Sequence, residues 1–215
     1  MKPPIYIFVN GIMNDPGAAH GWNDRAVTWI QTRTEAEAEK FKYFCDIIFR
    51  RLFQFGHARD LAEMISDYAG REIHLVGHSN GCDLICRALN ITETKVAGVH
   101  LLSGACDADF QLNGLNVCMA AGQVDFIYCY VAGQDFAMKC ASLSQRFLRW
   151  LGLGYGILGF AGPKSVAFTT RVRTITENSF GHSTWFLPEN FDRTMERITD
   201  PRSLRITKTQ TNKLP

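Results

Sequence analysis

Three side chains of this protein have the types and the placement that nucleophilic catalysis needs. Ser79 stands in Gly77-His78-Ser79-Asn80-Gly81, directly after the apolar run from Ile73 to Val76 and before an amphipathic stretch. Strand, five-residue turn and helix in that order make a nucleophile elbow, whose strained backbone lifts the hydroxyl clear of the sheet. Glycines two before and two after the serine remove Cβ atoms that would collide where strand and helix meet. A hydroxyl is a poor nucleophile near neutral pH, so a base must lie within hydrogen-bond reach and a third group must orient it. His182, in Phe180-Gly181-His182-Ser183-Thr184 after the last strand-like segment, is the expected base. His74 and His100 fall inside strands and read as satisfied core residues, while His20 and His57 follow no strand end. Alternation along the strand turns His78 away from the serine. Asp135, after the penultimate strand, is the favoured carboxylate, with Asp107 and Asp109 after the strand before it as alternatives. All three aspartates also have an ordinary reading as turn or cap formers. The backbone amide of Asn80, at the helix start, faces the place where an oxyanion would form.

The elements around these residues alternate. Ile5 to Val9 reads as a strand buried on both faces, ending in the turn-rich segment Asn10 to Gly17. A helix is expected over 23–40, with Trp22, Ala26, Trp29 and Ile30 inward and 35–40 as its solvated end. A strand over 43–49 and a helix over 60–68 precede the elbow. Beyond it come a strand at 96–102, a short helix near 114–122, a strand at 126–131 and a helix at 138–150. The last strand lies within 165–176, and a closing helix spans 185–198. About six strands alternating with helices imply an α/β fold: a doubly wound, mostly parallel sheet with helices on both faces. Ligands of such sheets bind at the carboxyl ends of strands, where the candidate residues stand.

Composition narrows the function classes. A length of 215 residues with 46% hydrophobic and 20% charged residues fits one domain over 1–199 followed by a polar tail at 200–215. A net charge of +2 argues against nucleic acid or an anionic membrane as partner. The first ten residues fit neither a signal peptide nor a membrane span. Seven cysteines without a C-x-x-C pair, several in apolar elements (Cys82, Cys86, Cys118, Cys129), read as buried free thiols in a cytoplasmic protein.

With the serine turn, Asp135 and His182 in that chain order, the sequence resembles the α/β-hydrolase superfamily over residues 5–198. The resemblance implies Ser79 as nucleophile, His182 as base and later acid, and Asp135 as the orienting carboxylate. It also implies oxyanion donors at the amides of Asn80 and of Ile12 or Met13, since Asn10-Gly11 stands where the family has His-Gly. Cys82 replaces a glycine common in relatives. The reading is a small, lidless, esterase- or lipase-like serine hydrolase of esters or thioesters that needs no cofactor and no metal. The segment 103–125, where relatives insert lids, spans only about twenty residues. An amidase or acyltransferase with the same residues is the alternative, as is a non-catalytic binding protein on this fold. Gly154-Tyr155-Gly156-Ile157-Leu158-Gly159 matches a dinucleotide fingerprint but follows no strand and opens no helix, so it is set aside. The apolar loop 148–161 is either core packing or a wall or flap for an acyl chain. Asp107 and Asp109 alone, lacking His or Cys neighbours, do not make a metal site.

Overall fold

A computed structural model of the chain describes residues 2–11, 21–43, 50–136, 139 and 156–200, with 50–53 as backbone alone. In order these hold β1 (Ile5–Val9), α1 (Trp22–Arg33), β2 (Glu37–Phe41), α2 (Arg50–Asp67), β3 (Ile73–His78) and α3 (Asn80–Leu89). They continue with β4 (Val96–Leu102), α4 (Leu115–Ala120), β5 (Val124–Ala132), α5 (Leu158–Ala161), β6 (Val172–Glu177) and α6 (Pro188–Thr199). The strands form one six-stranded sheet in the order β2-β1-β3-β4-β5-β6, and every pairing is parallel. The sheet is doubly wound, as the alternating pattern implies.

Parallel strands need crossovers, and the crossover helices cover both faces of the sheet. Strand alternation therefore sorts each strand into two cores. Ile5, Ile7 and Val9 of β1 join Leu61, Ile65, Leu84, Ile85 and Leu158 on the face covered by α2 to α5. Tyr6 and Phe8 join Trp22, Trp29, Phe191 and Met195 on the face covered by α1 and α6. Helix α1 reaches the sheet through Trp22, Ala26, Trp29 and Ile30, one stripe at helical spacing. It stops at Arg33, where the Thr34 amide donates to the Ile30 carbonyl at 3.0 Å from an extended backbone.

Two boundaries differ from expectation. The stretch expected as the solvated end of the first helix is in part the edge strand β2, which pairs with β1 from Ile5 opposite Glu37 to Val9 opposite Phe41. Its Glu, Ala and Lys residues favour helix, but Ala38 and Phe41 are buried while Glu37 and Glu39 point to solvent. Pairing with β1 overrides local propensity. Of the strand expected at 43–49 only Tyr43 is described, and it lies past the end of β2. The helix expected at 138–150 lies outside the described residues apart from Lys139.

The glycines of the fingerprint-like segment have a packing role. A Cβ on Gly156 would sit 1.8 Å from the Cys106 carbonyl carbon, and one on Gly159 would sit 2.2 Å from that of Ser103. Backbone bonds from Gly156 to Ala105 (3.0 Å) and from Gly159 to Gly104 (2.9 Å) lay this segment on the turn after β4. Leu158 is fully buried there. Leu158 and Gly159 are therefore packed as core, while Ala161 is exposed and 148–155 lie outside the described residues.

Candidate active site

Strand β3 ends at His78 and α3 begins at Asn80, so Ser79 alone turns the chain. Its φ of 53° and ψ of −120° lie where non-glycine residues rarely settle. Such a conformation costs about 1–3 kcal/mol and persists only under surrounding constraint. The constraint is visible. The Ser79 amide donates to Leu102 at 3.0 Å, and its carbonyl accepts from Cys82 at 3.1 Å and Ala105 at 2.9 Å. A Cβ on Gly81 would lie 2.3 Å from the Val9 carbonyl oxygen, and one on Gly77 would lie 2.8 Å from Ile85 Cδ1. Gly81 is thus required by backbone approach, whereas at Gly77 a Cβ would press on the Ile85 side chain and come within 3.0 Å of the Cys82 amide nitrogen.

The loops after β5 and β6 are tied together before they present side chains. Gly133 donates to Glu177 at 3.0 Å, and Gln134 donates to Phe180 at 2.9 Å. Across this junction the His182 Nδ1 donates to Asp135 Oδ2 at 2.7 Å, and Asp135 is fully buried. A carboxylate accepts the Nδ1 proton, which makes Nε2 the basic nitrogen of neutral His182. Ser79 and His182 line one cavity of about 370 Å³, together with Gly11, Trp22, Arg25, His78 and Phe186. Asp107 and Asp109 do not line it. Their Oδ1 atoms accept from the amides of Asp109 at 3.0 Å and Gln111 at 2.9 Å, the turn-forming role open to any aspartate.

Asn80 is the first residue of α3 and is buried, whereas Ile12 and Met13 lie outside the described residues. Gly11 packs beside the serine, where a Cβ on it would come 2.9 Å from Ser79 Cβ. The Asn10 carbonyl accepts from the Tyr43 hydroxyl at 2.5 Å, which anchors the turn after β1.

His78 corrects the sequence reading. Alternation does put it on the same sheet face as Val76, but that face also carries the His182 loop. Its ring lies 4.9 Å from that of His182, and its Nε2 is 3.1 Å from the His182 carbonyl oxygen. Only a donor satisfies a carbonyl, so neutral His78 carries its proton on Nε2. Burial, then the neighbouring His182, pushes the His78 pKa down to about 3. His74 and His100 are also corrected in part. His74 bonds Glu72 at 3.1 Å and His100 bonds the Tyr130 hydroxyl at 3.1 Å, yet each leaves one buried ring nitrogen without a partner. Burial holds both below the ordinary histidine range. Cys82, Cys86, Cys106, Cys118 and Cys129 are free and buried. Burial raises the thiols of Cys82 and Cys129, which suits inert packing groups.

No protein-family model and no curated protein sequence matches this chain. Solved structures do. A proposed hydrolase from Agrobacterium vitis S4 superposes with a TM-score of 0.59 at 14% identity, over 92% of this chain and 87% of that one. Alpha/beta hydrolase domain-containing protein 10 from mouse gives 0.57 at 14% identity, over 94% and 90%. The chain has the α/β-hydrolase fold. The methylesterase protein MES16 from Arabidopsis shares it, with a TM-score of 0.53 at 10% identity over 92% and 98%. Within the α/β-hydrolase fold, Ser79, Asp135 and His182 follow β3, β5 and β6 at the carboxyl edge of the sheet. Among the described residues no helix is long and apolar enough to cross a membrane, and no cluster of three His, Cys, Asp or Glu could hold a metal.

Proposed function

We propose that the protein is a serine hydrolase that cleaves carboxylic esters or thioesters through an acyl-enzyme on Ser79. The observation that carries this reading is the 2.7 Å bond from His182 Nδ1 to buried Asp135, with His182 and Ser79 on one cavity. His182 Nε2 takes the Ser79 hydroxyl proton as Oγ bonds to the substrate carbonyl carbon. The oxyanion rests on the amide of Asn80 and that of Ile12 or Met13, each such donor worth about 3–4 kcal/mol in the transition state. His182 then protonates the leaving alcohol or thiol as its bond to carbon breaks. Water repeats the sequence on the acyl-enzyme and releases the acid. The remaining elements of the reading are a cytoplasmic site of action and a small ester or acyl substrate.

Intact mass after treatment with a fluorophosphonate probe tests the reading. One adduct on the parent protein and none on Ser79→Ala is the expected result. Absence of an adduct on the folded parent protein would sink it and leave a binding protein on this fold.

A further inference from the structure

Arg25 stands on the same cavity as Ser79 and His182, and no carboxylate among the described residues pairs with it. Arg33, Arg71, Arg87, Arg193 and Arg197 each face a carboxylate within 3.2 Å. Arg25 faces none among the described residues, and no described lining residue of the cavity is acidic. Its visible contacts use part of the guanidinium. One Nη donates to the Phe186 carbonyl at 2.6 Å, and the plane lies 4.6 Å from the Phe191 ring centre. Buried Nε has no acceptor among the described residues. One helical turn earlier on α1, Trp22 also lines the cavity and also buries an Nε1–H without an acceptor among the described residues. Residues three apart share a helix face, so both donors belong to one wall. A guanidinium is a fork of five donors that matches a carboxylate, and an unsatisfied buried donor is costly until an acceptor arrives.

Anchoring of the Phe186 loop explains the Nη contact alone. It explains neither the guanidinium charge nor the two donors that lack acceptors among the described residues. We propose that Arg25, with Trp22 beside it, selects substrates that carry a carboxylate close to the scissile ester. The inference rests on the proposed hydrolase reading and names its substrate class. The neighbouring aromatic rings, Trp22 stacked on Phe186 at 4.1 Å, would hold the apolar part between the charge and the reacting carbonyl.

The test compares kcat/KM for monomethyl esters of linear dicarboxylic acids, from succinate to suberate, with methyl alkanoates of equal length. O-acetyl hydroxy acids against O-acetyl alcohols place the same charge on the leaving side. In one of the two series the charged member should be preferred about 10- to 100-fold, the worth of a hydrogen bond to a charged group. Arg25→Met should bring that ratio close to one, Arg25→Lys should keep most of it, and Trp22→Phe should lower it severalfold with the ring stack kept. A ratio near one in both series, or a ratio unmoved by Arg25→Met in a folded variant, overturns the inference while labelling of Ser79 upholds the hydrolase. No labelling and no cleavage in any series overturns both.

Discussion

The two faces of the sheet are built from different chemistry. The face under α2 to α5 is aliphatic and sulfur-rich, with Ile7, Leu61, Leu84, Ile85, Val99, Cys86 and Cys129 packed without a buried histidine. The face under α1 and α6 is aromatic and carries buried polar atoms: Tyr6 on His74 at 4.6 Å, Tyr128 on His100 at 4.7 Å, and Trp22 beside His78. The first face clamps α3 and thereby the serine turn. The second presents His182, the proposed base, together with the cavity and the donors of Trp22 and Arg25. A site of this kind needs rigidity under the nucleophile and polar side chains around the substrate. The sheet separates the two demands, one to each face.

Substitutions on the two faces should have different consequences, the most severe at Asp135. Asp135→Asn should lower kcat about 10⁴-fold, because it removes the acceptor that fixes the His182 tautomer. Its melting temperature should change far less, and steady-state kinetics with calorimetry would separate the two. On the aliphatic face, Leu84→Ala should cost about 2–5 kcal/mol of stability through cavity formation, read from urea melts. There the pH dependence of stability should stay as in the parent, since no titrating group is touched.

On the aromatic face the dependence itself is the signal. His74, His78 and His100 are held neutral when folded, whereas the unfolded chain takes up protons near the ordinary value of 6.5. The unfolded state therefore binds more protons below that pH, and stability falls as pH drops below 6.5, for His78 down to about 3. The slope approaches about 1.4 kcal/mol per pH unit for each histidine. Urea melts over a pH series should show this loss, and His100→Phe should shallow the slope by about one histidine's share. A flat profile would place the buried rings in a protonated state. The smallest effect is at His78. His78→Phe removes the donor to the His182 carbonyl and should lower kcat about tenfold with KM little changed. His78→Gln, which keeps a donor at nearly the same reach, should restore most of it.

Much of this site was legible in the sequence because its chemistry is local. The serine turn needs glycines at fixed offsets, and the strand ends after β5 and β6 announce themselves by a β-rich run meeting a polar turn. What was not legible depends on neighbours. Nothing in Glu37 to Phe41 says strand until β1 offers its edge. His78 was turned to the correct face by alternation, yet only the fold reveals that His182 comes to the same face. Arg25 and Trp22 read as ordinary helix residues, because an unmatched charge can be recognised only once its surroundings are known. Likewise Gly156 and Gly159 mimic a nucleotide motif, since close backbone approach selects glycine whatever the reason for the approach.

The order of the strands also sets a timetable. Ser79 is translated long before His182, and the aromatic face that α1 covers in part is completed only when α6 supplies Phe191, Met195 and Ile198. Every described residue that constrains the Ser79 turn lies between Val9 and Ala105 and is therefore made before His182 and α6. On the proposed hydrolase reading, His182 meets Ser79 only as α6 completes the burial of that surface.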